Sequence, residues 1–107
     1  MTEAAARAHI TRFNNAVTSG DWSQFIAALH PDAVMTFIGP PIGPFHGRDA
    51  IARAYAADPP TDTLKVVDIR SESETDLITF EWSRGGTGTL TLHHAAGQVN
   101  ALTIRFD

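Results

Sequence analysis

The chain has no cysteine among its 107 residues. That removes disulfides, thiolate metal ligands and thiol nucleophiles together, and it fits a reducing cytoplasm. Basic charge is scarce as well: 8 Lys and Arg against 12 Asp and Glu give a formal net charge of -4. A nucleic-acid binder needs a basic face, and none is supplied here. No run approaches the ~18 apolar residues of a membrane span. The opening "MTEAAARAHITRF" lacks the basic segment and apolar core of a leader. No "HExxH", no close His/Asp/Glu triplet and no "GxSxG" occur, so the sequence carries no metal, cofactor or nucleophile-elbow signature. "RGGTGT" lacks the lysine and the strand-to-helix context of a phosphate loop and reads as a hairpin turn.

What is present is ordinary globular composition, 43% hydrophobic and 19% charged. The length suits one domain covering residues 1–107, expected to act in the cytoplasm with neither nucleic acid nor membrane as partner. Ala6, Ile10, Phe13 and Val17 recur at helical spacing and predict a helix over about Thr2 to Ser19, ended by Gly20. Asp21 with Gln24 forms a capping-box pattern before a second helix whose apolar face is Trp22, Phe25, Ile26 and Leu29, closed by His30 and Pro31. "AVMTFI", residues 33–38, predicts a strand. A Pro/Gly-rich stretch follows, and a third helix runs from near Gly47 to before Pro59, with Ile51, Ala54 and Tyr55 facing inward.

From Leu64 the hydrophobic period changes to two. "LKVVDIR", "DLITFEW", "TLTLH" and "VNALTIRF" are four strands in a meander. Ile78, Phe80 and Trp82 share one face, with Thr79, Glu81 and Ser83 on the other, so helices must cover the apolar side. The pattern predicts an α+β fold with helices on one face of a curved sheet.

The segment "SGDWSQFIAALHPDAVMTFIGPPIGPFHGRDAIARAY" resembles the NTF2-like superfamily, especially its SnoaL-like and ketosteroid-isomerase-like branch. The features shared are "GD" before the short helix, the "DAV" strand, the Pro/Gly-rich segment and "HGRxAI" opening the third helix. "GQVNALTIRF" is similar to the last hairpin of that family, and the resemblance extends from about residue 6 to residue 107. It implies a cone-shaped, cystatin-like half-barrel, with three N-terminal helices packed on a mostly antiparallel sheet around an apolar pocket. It also implies a homodimer, and the outer sheet face with Thr79, Glu81, Thr103 and Arg105 is the surface for it.

The resemblance further implies where catalytic groups of the isomerase would stand. The carboxylate base falls at Phe37, the tyrosine at Phe13 and the aspartic acid near Thr89. A phenyl ring neither abstracts nor donates a proton, so the steroid-isomerase groups are absent. His30 and Tyr55 match places where the isomerase carries tyrosines. In the strand "TLTLHH", adjacent histidines point to opposite faces. Burying Leu90 and Leu92 brings His94 inward with them, whereas counting from Gly97 favours Thr89, Thr91 and His93.

Three readings follow. The first is a module that binds a small apolar molecule in a pocket lined by Phe13, Trp22, Met35, Phe37 and Tyr55, with Trp82, Leu102, Ile104 and Phe106 opposite. The second is an isomerase-, cyclase- or lyase-type enzyme without metal or cofactor, using His94 or His30 with Tyr55 as its acid/base pair. The third is a dimerisation module whose aromatics fill the interior. Glu72, Glu74 and Asp76 are expected in a solvated turn, and Asp68 and Glu81 on the outer face. His46, Arg48 and the three prolines Pro40, Pro41 and Pro44 are expected to form a rigid packing connection or a pocket rim.

Overall fold

A computed structural model describes residues 3–107. Helix α1 spans Glu3–Ser19 and buries Ala6, His9, Ile10, Phe13 and Ala16 along one stripe. The expected helix start at Thr2 lies outside the described residues. Helix α2 is a single turn, Ser23–Ala27, and buries Phe25. Its approach is not a capping box. Asp21 Oδ1 instead accepts the N–H of Ser23, the first helical residue, at 3.0 Å, a local turn that leads into the helix.

Strand β1, Leu29–Ile38, begins four residues earlier than its apolar run. His30 and Pro31 therefore lie inside a strand rather than ending a helix. The cause is tertiary: Leu29 pairs with Val99 in the parallel β1–β6 ladder, and a register shift before Val34 absorbs the intervening residues. The Pro/Gly-rich stretch joins β1 to β2, Phe45–His46, which pairs back antiparallel on β1. Phe45 meets Phe37 edge-on at 6.4 Å, so this stretch folds against β1. Helix α3, Arg48–Ala57, buries Ile51 and Tyr55 and follows β1 and β2 instead of joining an N-terminal helical block.

Strands β3 (Leu64–Glu72), β4 (Thr75–Trp82), β5 (Thr87–Ala95) and β6 (Gln98–Phe106) form the meander. The six strands are ordered β2-β1-β6-β5-β4-β3, and every neighbouring pair except β1–β6 is antiparallel. The fold is thus α+β, with a curved, mostly antiparallel sheet. Register shifts at Val66/Asp68 and at His93/His94 add local bends. Burial alternates strictly along β4, where Asp76, Ile78 and Phe80 are buried and Leu77 and Glu81 are exposed. Helix α1 packs on β3 and β4, while α3 packs on β1 and β2, so the two helices cover opposite ends of one sheet face.

Candidate functional site

Between those two helices the sheet is incompletely covered, and a cavity of about 320 Å³ remains. Its helical wall is His9, Ile10 and Phe13 from α1, Phe25 from α2 and Tyr55 from α3. The sheet contributes Phe37, Leu64, Phe80, Trp82 and Leu90, and the final strand adds Leu102, Ile104 and Phe106. Pro60, Thr61 and Asp62, in the connection after α3, close one side. At the more exposed end Phe106 stacks between Phe37 and Trp82, with ring centroids 6.2 and 5.9 Å away. Such a concave, apolar and aromatic surface with few polar groups is the ordinary form of a small-molecule site.

The loop on that side is held from outside the cavity. Arg84 Nη2 donates to the Thr61 carbonyl oxygen and, at 3.0 Å, to its hydroxyl. Asp62 accepts the backbone N–H groups of Thr63 and Arg84 at 2.9 and 3.0 Å. On the helical side, the Asn14 side chain of α1 bonds both backbone groups of Leu64, donating to its C=O at 2.9 Å and accepting its N–H at 2.8 Å. A helix and the first residue of a strand are thereby locked in register.

Seven of the nine residues expected to line a pocket do so: Phe13, Phe37, Tyr55, Trp82, Leu102, Ile104 and Phe106. Trp22 and Met35 do not. Trp22 stands behind the wall, tilted against Tyr55 at 4.6 Å and edge-on to Phe25 at 5.3 Å. Met35 faces inward from β1 but is fully buried where α3 covers that strand. The proline-rich stretch after β1 contributes no lining residue, and the loop after α3 takes that place.

The titratable residues separate as sharply. His30 is half-buried at the start of β1, and its Nδ1 accepts the Asp32 N–H at 3.0 Å, away from the cavity wall. His93 is exposed and meets the Thr75 hydroxyl at 3.1 Å, whereas His94 is buried with Leu90 and Leu92. The largest departure concerns Asp76. It is completely buried rather than solvated, and its Oδ2 lies 2.8 Å from His94 Nε2. Strand parity accounts for it, because residues 76, 78, 80 and 82 point the same way and the carboxyl is carried inward with them.

His9 is the other residue the sequence pattern underweighted. It stands three residues after Ala6 on the buried stripe of α1, is 2% exposed, and lines the cavity. Burial, with the nearby charges of Arg12 and His94, pushes its pKa down to about 3, so the imidazole is neutral. Burial also raises the Tyr55 phenol, which keeps its proton. Among the described residues, neither the His9 ring nor the Tyr55 hydroxyl has a hydrogen-bond partner. No group of three potential metal ligands occurs among the described residues, and no described helix is long and apolar enough to cross a membrane.

Known folds place this architecture clearly. A candidate ketosteroid isomerase from Kribbella flavida superposes with a TM-score of 0.76 at 18% identity, over 97% of this chain and 78% of that one. A candidate polyketide cyclase from Sinorhizobium meliloti gives 0.71 at 17% identity, over 91% and 93% of the two chains. An NTF2-like protein of unknown function from Cytophaga hutchinsonii gives 0.74 at 13% identity, over 94% and 88%. At such identities the likeness establishes fold and not activity. No curated protein matches the chain. The sequence profile of the SnoaL-like domain, however, matches residues 10–106, from the cavity face of α1 to the aromatic at the cavity's exposed end. The chain therefore belongs to the SnoaL-like domain family, and its fold is that of NTF2-like proteins.

Proposed function

We propose that the protein binds a small, largely apolar, ring-bearing molecule in the cavity between its helices and its sheet. The observation that carries this reading is the cavity itself, about 320 Å³ of space whose wall is mostly aliphatic and aromatic. That volume is at the small end of the range of ligand pockets and suits a compact ring system. Aromatics line the space without filling it, which favours binding over a solid interior. Phe13 and Phe37 are part of the wall, so the positions that would carry the isomerase tyrosine and base offer only ring faces. Calorimetric titration with naphthalene tests the reading: saturable binding is expected, and Leu90→Trp, which places an indole in the cavity, abolishes it. Absence of binding, or binding untouched by Leu90→Trp, contradicts it.

A second reading, acid–base chemistry of an isomerase, cyclase or lyase kind, draws support from the buried Asp76–His94 pair. A carboxylate that orients an imidazole is a common arrangement for a general base. Tyr55, protonated and on the cavity wall, would be the acid. Neither Asp76 nor His94 lines the cavity, which is why binding is placed first. On this second reading, His94→Asn leaves naphthalene affinity unchanged and removes turnover of whatever ring ketone or hydroxy compound the wild type converts.

The proposal includes a homodimer formed through the outer sheet face, where Thr79 and Thr103 are half-buried and Leu77 is exposed. Sedimentation velocity tests it: a Thr103→Arg change is expected to shift a dimer to monomer, and a wild-type monomer would remove the dimer from the account.

A further inference from the structure

Three side chains make up the buried polar and charged residues among the described part of the chain: His9, Asp76 and His94. They occupy one place. His94 joins Asp76 through a 2.8 Å contact, and His94 and Arg12 are close enough to His9 to act on its charge. Of the four buried side-chain atoms without a partner among the described residues, three belong to this group, His9 Nδ1, Arg12 Nε and Asp76 Oδ1, and the fourth is Asn100 Oδ1. Buried polar atoms are nearly always paired, so a cluster of unpaired ones needs a physical reason.

Of these residues only His9 reaches the cavity wall. It is nine-tenths buried and more and has no partner; Phe25 packs against its ring at 5.1 Å, and the other polar lining residues, Tyr55, Thr61 and Asp62, come from α3 and the loop after it. A neutral imidazole offers one donor and one acceptor, and can therefore serve either a hydroxyl or a carbonyl oxygen. We propose that His9 is the polar reading point of the pocket, bonding a single hydroxyl or carbonyl oxygen carried at the buried end of an otherwise apolar ring ligand. This rests on the binding reading above and narrows it to a ligand class: a flat apolar ring system entering polar end first. The Asp76–His94 pair and Arg12 lie behind His9 as charged and polar neighbours without bonding its ring, which leaves the imidazole free for a ligand.

A matched pair of probes, naphthalene and 2-naphthol, separates this from the pocket reading. A hydroxyl buried without a partner loses its bonds to water, so a purely apolar cavity prefers naphthalene. With His9 as partner, 2-naphthol is expected to bind at least about tenfold more tightly than naphthalene, a free-energy difference of about 1.4 kcal/mol. His9→Leu removes that preference while retaining naphthalene binding, which also shows that the variant is folded. Tyr55→Phe leaves the preference in place. Equal affinities in the wild type overturn the proposal and mean that solvent already serves the imidazole. A preference that survives His9→Leu and disappears in Tyr55→Phe overturns it in favour of the phenol. If neither probe binds, the pocket reading fails and this inference fails with it.

Discussion

His9 is an expensive residue to keep where it is. A buried polar group with no partner costs about 1–3 kcal/mol, and leucine of similar length would remove that cost. His9→Leu is therefore expected to stabilise the unliganded protein by about 1 kcal/mol or more, measured by chemical denaturation. Its titration adds a pH signature. The folded pKa is about 3 and the ordinary value is 6.5, so between those limits the unfolded chain holds the extra proton. Stability is then full above about pH 6.5 and falls as pH drops towards 3, by up to about 1.4 kcal/mol per pH unit from this group. The corresponding share of the slope is expected to vanish in His9→Leu, with Asp76, His94 and Arg12 unchanged. An acid profile identical in the two proteins would show that His9 is not buried as described. His94 behaves oppositely. Removing it strands a fully buried carboxyl, so His94→Leu is expected to cost about 3 kcal/mol or more, and Asp76→Leu in the same chain to restore much of it.

At the scale of elements, two contacts set the cavity's shape, and each has its own test. Asn14 fixes α1 to the first residue of β3 by two hydrogen bonds, so Asn14→Leu is expected to lose about 2 kcal/mol and loosen the wall at Leu64. Hydrogen exchange at the Leu64 amide, protected only in the wild type, checks it. Gly88 lies where β5 crosses the aromatic of β4. A Cβ there would collide with the Arg105 carbonyl oxygen and the Phe80 ring. Gly88→Ala must push β6 or Phe80 aside, at a cost of about 1–3 kcal/mol in stability and a reshaped cavity.

The same elements show what pattern alone carries. Alternation in "DLITFEW" and "TLTLH" set the inward faces of β4 and β5, and with them Phe80, Trp82, Leu90 and His94. It carried Asp76 too, but Glu72 and Glu74 nearby made the position look like a solvated turn. The first four residues of β1 are strand because of a parallel partner 70 positions away in sequence, Val99 for Leu29, and no local period reports that. Two residues are likewise too few for β2 to show a period. Trp22 and Met35 point towards the interior as their spacing suggests. Whether an inward residue meets empty space or another element depends on where α3 lies, which is tertiary information.

For the molecule as a whole, a cavity is the outcome of too little helix for the sheet it covers. Helices α1 and α3 protect the two ends of the inner face, and one short turn, α2, stands between them. The remaining apolar surface is closed by side chains from opposite walls and by the loop after α3, which leaves a space rather than a packed core. Membership of the SnoaL-like domain family agrees with that architecture and leaves the ligand to be read from this chain's own residues. A two-dimensional amide NMR titration with 2-naphthol reads occupancy of the cavity directly. Saturable shifts are expected together at His9, Phe25, Tyr55 and Leu102, which come from four different elements and all line the cavity, with Leu77 and Thr103 on the outer face unmoved. Shifts confined to the outer face, or none at all, would contradict binding in the cavity.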